Sequence, residues 1–341
     1  MTTRQELLRR AGAGAAGFSL AQLLGPAAAL AGDGGGDYPA HPRWRFAFVS
    51  HSTLDPLLVA TQFGAQDAAA LVKCQVEWTG SPSGSATQTV KALRAAIAKK
   101  VDGIAVSVLD DKLYAPAIAA ADKAGIPLVA FRVDAGTSHH YAYVGESPRV
   151  SGAHVGGEIA RLAPRSSVLL FAPAKSEAWS DRRLEGVIAG LAGATRAPSA
   201  VVIRLSGDVK AQQGQIEKAY AKQKGVRGLF AVEGIGTAAI ARAIKSLGVQ
   251  GLRGGGYDLL PDDLKYVADG TLEFVVDQQP YVQGFAPVIQ LFLAKMSEGI
   301  VVPWDTETSV LLRKADVATA LATKSRFEGS SSRHEYPLRK A

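Results

Sequence analysis

The chain has 341 residues, with 38 Lys and Arg against 31 Asp and Glu and a net charge of +7. Its 47% hydrophobic and 20% charged residues exclude a wholly disordered or collagen-like chain, and the length suggests about two domains. The single cysteine excludes an intramolecular disulfide and any site built from several cysteines. Only 7% of residues are aromatic while 36 are glycine, which suits closely packed helices and strands more than an aromatic RNA-binding surface.

The start of the chain reads as an address. Arg4, Arg9 and Arg10 form a basic region, Ala11 to Leu24 is mostly apolar and uncharged, Pro26 ends the stretch, and Ala29-Leu30-Ala31 has the small-x-small form of a cleavage site. The apolar run is too short for a comfortable membrane span. Residues 1–31 are therefore predicted to be an export signal peptide, leaving 310 residues with a net charge of +5. Thr3 to Arg9 follows a twin-arginine export pattern with Gln5 at the second arginine position, so the sequence does not choose an export route. The basic residues are scattered along the mature chain, and no nucleic-acid partner is expected.

Residues 32–44 are predicted to be a linker, rich in Gly, Asp and Pro over 32–43. The apolar run 46–50 then reads as a buried strand, with Asp55 as the cap of the next helix and Pro56 at its first position. Strand 74–79, helix 85–100, strand 101–108, helix 114–125 and strand 126–131 continue the alternation. A second series follows strand 142–145: helix 148–163, strand 167–172, helix 181–192, strand 200–205, helix 210–223, strand 228–233, helix 236–247, a short helix 261–268 and strand 271–278. Strands separated by helices imply parallel βαβ units. The fold class is α/β, with two doubly wound lobes. Ligands of such sheets sit beyond the carboxyl ends of the strands, in a cleft between lobes.

The motifs of common chemistries are missing. There is no G-x-G-x-x-G after a strand, no phosphate loop, no H-E-x-x-H and no G-x-S-x-G elbow. His139 and His140 are adjacent and have no cluster of other ligands around them. No cofactor, metal or catalytic residue is expected. What remains is polar side chains at strand ends: Ser50, His51 and Asp55, then Asp110 and Asp111, then Arg132 and Asp134, and in the second half Arg183, Glu233, Asp258 and Gln278. A carboxylate ending an apolar strand is costly unless paired. Several facing one crevice suit a polyol, because carboxylates accept from vicinal hydroxyls while Arg and Gln donate to them.

Several segments carry a family resemblance. TLDPLLVATQFGAQDAA, ADKAGIPLVAF, RRLEGVIAGL, GGGYDLLPDDLKYV and VVDQQPYVQGF occur in this order, after an export signal. In them the chain resembles the sugar-binding proteins of bacterial ABC importers, the ribose-binding group of type I periplasmic binding proteins, over about residues 45–325. The resemblance implies two lobes joined by three hinge strands near 145–147, 277–280 and 304–308. The first lobe would be 45–145 plus 279–306, the second 146–278 plus 307–325, and 326–341 a flexible tail. It also implies ligand contacts. Asp55 stands at the usual Asn or Asp after the first strand, and Leu57 and Leu58 where stacking aromatics are common. Arg132 with Val133 stands at the usual polar pair, and Arg183 at the arginine that clamps ring hydroxyls. Val209 stands where an aromatic often occurs and Glu233 where Asn or Asp occurs, while Asp258 and Gln278 match directly. Trp179 can supply a stacking face.

The expected function is an exported substrate-binding protein, periplasmic or on the cell surface. It would act as a monomer that captures a neutral sugar or polyol by lobe closure and delivers it to a membrane permease. A sensor that docks on a chemoreceptor or sensor kinase is the alternative. A repressor effector domain would need a helix-turn-helix before the first strand, where the signal and linker stand.

Overall fold

The computed structural model describes residues 40–55, 58–134, 142–259 and 262–322. The expected export signal, Leu57, His139, His140 and the 326–341 tail lie outside the described residues. All described elements belong to one compact unit, Arg43–Ala341. In chain order they are β1 (Arg45–Ser50), α1 (Val59–Leu71), β2 (Gln75–Gly80), α2 (Ala86–Ala98), β3 (Gly103–Val106), α3 (Asp111–Lys123), β4 (Leu128–Phe131), β5 (Ala142–Gly145), α4 (Pro148–Leu162), β6 (Ser167–Pro173), α5 (Ala178–Ala192) and β7 (Ser199–Leu205). Then follow α6 (Val209–Lys222), β8 (Val226–Ala231), α7 (Gly234–Leu247), β9 (Arg253–Tyr257), α8 (Asp263–Ala268), β10 (Phe274–Asp277), α9 (Pro280–Met296), β11 (Thr306–Glu307), β12 (Val310–Arg313) and α10 (Lys314–Ala322).

Two six-stranded sheets result, ordered β11-β5-β4-β3-β1-β2 and β12-β10-β9-β8-β6-β7. Every pairing in them is parallel except β10 with β12. Helices cover both faces, which is why the strands are near-continuous apolar runs. Alternate residues serve opposite cores. In β1, Ala47 and Val49 pack under α2 and α3, while Phe46 and Phe48 pack under α1 and α9. In β6, Leu169 and Phe171 face α6 and α7, and Val168 and Leu170 face α4 and α5.

Glycine sets two helix contacts at close range. A Cβ on Gly64 would stand 2.0 Å from the Tyr281 carbonyl oxygen, and one on Gly284 1.9 Å from that of Thr61, so α1 and α9 meet backbone to backbone. A Cβ on Gly152 of α4 would stand 2.2 Å from the Arg183 carbonyl oxygen of α5.

Several local expectations change. Asp55 does not cap α1: the N-cap position is Leu58, without a side-chain cap, and a turn closed by Leu58 N–H on the Asp55 carbonyl (3.0 Å) precedes the helix. The carboxylates that do cap helices are Asp110, Asp208 and Glu233. Helix α5 begins at Ala178, so Arg183 lies in its second turn. Strand β10 starts only at Phe274, because Asp269 accepts from both the backbone N–H (2.9 Å) and the hydroxyl (2.6 Å) of Thr271 and makes a turn there. Cys74 is buried, and burial pushes its thiol up to about 11, which makes it a packing residue rather than a reactive one.

Glu158 ties β12 to α4. It accepts from Arg161 (2.9 and 2.8 Å) and Arg313 (3.0 and 3.2 Å), and these bonds, the Arg161 pair foremost, lower its carboxyl to about 2. A lowered carboxyl stabilises the fold above its ordinary value of 4.5 and loses that contribution as pH falls towards 2. Glu158→Gln is therefore expected to cost about 2 kcal/mol at neutral pH in urea denaturation. The gap to the parent should shrink on acidification through that window; a gap that stays constant would contradict this role.

Candidate functional site

The chain passes between the sheets three times: from β5 to α4, from β10 to α9, and from β11 to β12. These crossings are bonded to one another. Thr308 N–H donates to the Gly145 carbonyl (3.1 Å), and the Thr308 hydroxyl donates to the Gln278 carbonyl (2.8 Å). Gln283 Nε2 donates to that same Gln278 carbonyl (2.7 Å), and Glu307 accepts from Ser147 N–H (2.8 Å) and Ser309 N–H (2.9 Å). The third crossing follows Glu307, within the expected 304–308 stretch. Thr306 pairs with Val144, and Asp305 accepts from Tyr143 N–H (2.8 Å), so 304–306 run along the first sheet.

Beside these crossings the polar strand ends meet. Arg132, after β4, donates through Nη1 to Gln278 Oε1 (3.1 Å), and Gln278 Nε2 donates to Asp258 Oδ1 after β9. One residue from the first sheet, one from a crossing and one from the second sheet thus form a single chain. Arg132 (φ 63°), Asp258 (φ 71°) and Gln279 (φ 50°) all hold left-handed backbone, each at a cost of about 1 kcal/mol.

Arg183 is 3% exposed and deeply engaged. Its Nε and Nη2 donate to Glu146 (3.1 and 2.8 Å), and Nη1 donates to the Val232 carbonyl (2.7 Å). The guanidinium lies 4.0 Å from the Tyr257 ring centre and 5.0 Å from that of Trp179. Trp179 keeps 36% exposure, and its indole N–H donates to Glu177 (2.8 Å). A guanidinium has five N–H groups. Three of them are used in these bonds.

The other expected site residues divide. Glu233 accepts from Gly236 N–H (3.2 Å); burial raises its carboxyl above the ordinary value, and Asp258 adds to the rise. His51 lies near Arg132 and Asp55. Burial foremost, then Arg132, lowers it to about 4, so it is neutral at physiological pH, and its Nδ1 is buried without a hydrogen-bond partner. Asp55 is half-buried beside it. Ser50 is fully buried and spends its hydroxyl on the Ser52 carbonyl (3.2 Å). Leu58 is also fully buried, and Val209 packs against the second-lobe core. Ser50 and Leu58 therefore present little surface to a ligand, because the turn after β1 folds them inward, while Val209 stays partly exposed. Among the described residues, no group of three or more His, Cys, Asp or Glu is placed to hold a metal ion.

Sequence reasoning missed Glu146, Ser151 and Tyr257. Glu146 follows the apolar strand AYVG, the same signal that singled out Glu233 and Asp258, and was legible on that rule.

Asp277 ends β10 at the second crossing and accepts from Gln279 N–H (2.7 Å). Burial, opposed by that bond and reinforced by Asp258, pushes its carboxyl up to about 6 from 3.8. A raised carboxyl destabilises the folded state above about 6, and the deficit disappears below 3.8. Asp277→Asn keeps the acceptor and is expected to gain about 2 kcal/mol at pH 7.5 and almost nothing at pH 4. Equal melting temperatures at pH 7.5 would contradict this.

Residues 46–295 match the periplasmic binding protein domain. The chain is 32% identical over 318 residues to a xylose/arabinose-binding protein of Sulfolobus acidocaldarius, covering 88% of this chain and 78% of that one. Its fold is similar to that of a sugar-binding protein of a sugar ABC transporter from Bacillus halodurans (TM-score 0.71, 19% identity, 81% of this chain and 99% of that one). It is likewise similar to a solute-binding protein of an ABC transporter from Burkholderia graminis in complex with D-arabinose (TM-score 0.68, 22% identity, 83% and 99%). The two parallel-dominated lobes, the three bonded crossings and the matching domain define a binding protein of the hinged, two-lobed class. The chain belongs to the periplasmic binding protein family, within its sugar-binding branch.

Proposed function

We propose that this protein is exported, captures a neutral aldopentose of the arabinose or xylose type between its lobes, and delivers it as a monomer to the permease of an ABC importer. The observation that carries the reading is the Arg132–Gln278–Asp258 chain, which runs from one lobe to the other through a hinge crossing. Its donors and acceptors are those a polyol exchanges with, so hydroxyls that replace these bonds act on both lobes and on the hinge at once. Charge favours a neutral ligand. Glu146 already compensates Arg183, Arg132 lies with Asp55 near His51 and reaches Asp258 through Gln278, and Asp258 in turn lies near Glu233 and Asp277. An anionic sugar would face more repulsion than attraction. The 32% identical relative named for xylose and arabinose supports the pentose class. No helix among the described residues is long and apolar enough to cross a membrane.

The test is a thermal-shift panel of pentoses, hexoses, inositols, linear polyols and sugar acids. L-arabinose or D-xylose is expected to raise the melting temperature most, by linkage to binding. A rise with sugar acids alone would overturn the neutral-ligand reading, and no rise with any compound would overturn sugar capture.

A further inference from the structure

Arg183 is one of two arginines at the cleft, and the way it is held points to a residue outside the set expected to touch the ligand. Glu146 sits on the first crossing between the lobes, immediately after β5, and is only 4% exposed. Both of its carboxylate oxygens are committed. Oε1 accepts from Arg183 Nε (3.1 Å) and from the Ser151 hydroxyl, and Oε2 accepts from Arg183 Nη2 (2.8 Å). The Ser151 hydroxyl in turn lies 3.0 Å from the Tyr257 hydroxyl, and the Tyr257 ring lies beneath the guanidinium. The guanidinium is thus fixed in its plane by Glu146 and across its face by Tyr257. The backbone of Glu146 is tied as well. Its carbonyl lies 3.0 Å from the Tyr143 hydroxyl, which lies 3.1 Å from the carbonyl of Arg132. The Tyr143 hydroxyl has one proton for these two carbonyls, so it is the side chain of Glu146, through Arg183, that carries the link into the site.

We infer that Glu146 is the positioning residue of the site: it holds the Arg183 guanidinium from the hinge in the orientation that meets the ligand, and it makes that orientation depend on hinge geometry. This rests on the sugar-capturing reading above. A bidentate carboxylate fixes a guanidinium in a way a single contact does not. A buried arginine deprived of its carboxylate is also left as an uncompensated charge, so the pair has a structural side that the test must separate.

The separation is a double-mutant cycle read by isothermal titration with L-arabinose and D-xylose, on purified protein well below each variant's melting temperature. Glu146→Gln is expected to lose roughly 10-fold or more in affinity, and Arg183→Met roughly 100-fold. The double variant is expected to bind no worse than Arg183→Met alone, because Glu146 acts only through Arg183, and to melt higher than Glu146→Gln, because the buried charge leaves with its partner. If Glu146→Gln does not fold, Glu146→Asp takes its place. It keeps the charge but retracts the carboxylate by one methylene, and is expected to remain folded while losing affinity. Losses that multiply in the double variant, or single Glu146 variants that bind like the parent, would overturn the inference. A parent protein that binds neither sugar would instead overturn the functional reading on which it rests.

Discussion

Gly152→Val is expected to lower the free energy of unfolding by about 3 kcal/mol and to weaken sugar binding with it. A Cβ at this position would stand 2.2 Å from the Arg183 carbonyl oxygen and 3.0 Å from the Gly186 Cα, so α4 and α5 must separate to admit a side chain. The facing positions leave no slack. A Cβ on Gly186 would meet the Arg149 carbonyl oxygen at 2.4 Å, and one on Gly156 would meet that of Val187 at 2.2 Å. Protein interiors do not yield that distance cheaply, because neighbouring side chains are already close-packed. Arg183 rides on the displaced helix, so a shift of α5 pulls its guanidinium from Glu146 and from the Val232 carbonyl. Gly157 is the control on the same helix. A Cβ there meets nothing within 4 Å, and Gly157→Ala is expected to gain up to about 1 kcal/mol from helix propensity. Urea denaturation followed by circular dichroism reads both. A Gly152→Val protein as stable as the parent would contradict the close approach of the two helices.

The contrast shows what the sequence made legible. Alternating apolar strands and helices identified two doubly wound lobes, because strands buried on both faces are continuous apolar runs whatever their partners. Polar residues at strand ends identified Arg132, Arg183, Asp258 and Gln278, which the structure brings into two adjoining networks. What escaped depends on positions distant in sequence. That Arg183 is already engaged follows from Glu146, 37 residues away, and the link from Arg132 to Gln278 spans 146 residues. Ser50 and Leu58 sit at the expected points of the chain, but the packing of the turn after β1 directs them inward. A pattern in sequence places a residue on an element; it does not say which neighbour has already taken its hydrogen bonds.

Asp258→Ala carries the second large effect, an expected loss of sugar affinity of roughly 100-fold or more, about 3 kcal/mol. Asp258 accepts from Gln278 Nε2, and its carboxylate lies over Gly234, where an added Cβ would come within 2.9 Å of Oδ2. Removing it leaves Gln278 with an unmet donor and takes away the acceptor that polyol hydroxyls require. The left-handed backbone at φ 71° adds a separate cost for alanine, which asparagine largely avoids. Asp258→Asn keeps an acceptor for Gln278 but loses the charge, so its affinity should fall only roughly 10-fold. The ratio between the two variants separates the carboxylate from the backbone. Equal losses in both would assign the effect to charge alone, and no loss in either would remove Asp258 from the site.

The most direct test of cleft capture is isothermal titration of the purified protein with L-arabinose and with D-xylose. It predicts saturable binding of one sugar per chain, with a negative heat-capacity change as the lobes close over the ligand. Titrations without heat for either sugar, in protein shown by mass spectrometry to carry no bound ligand, would contradict it.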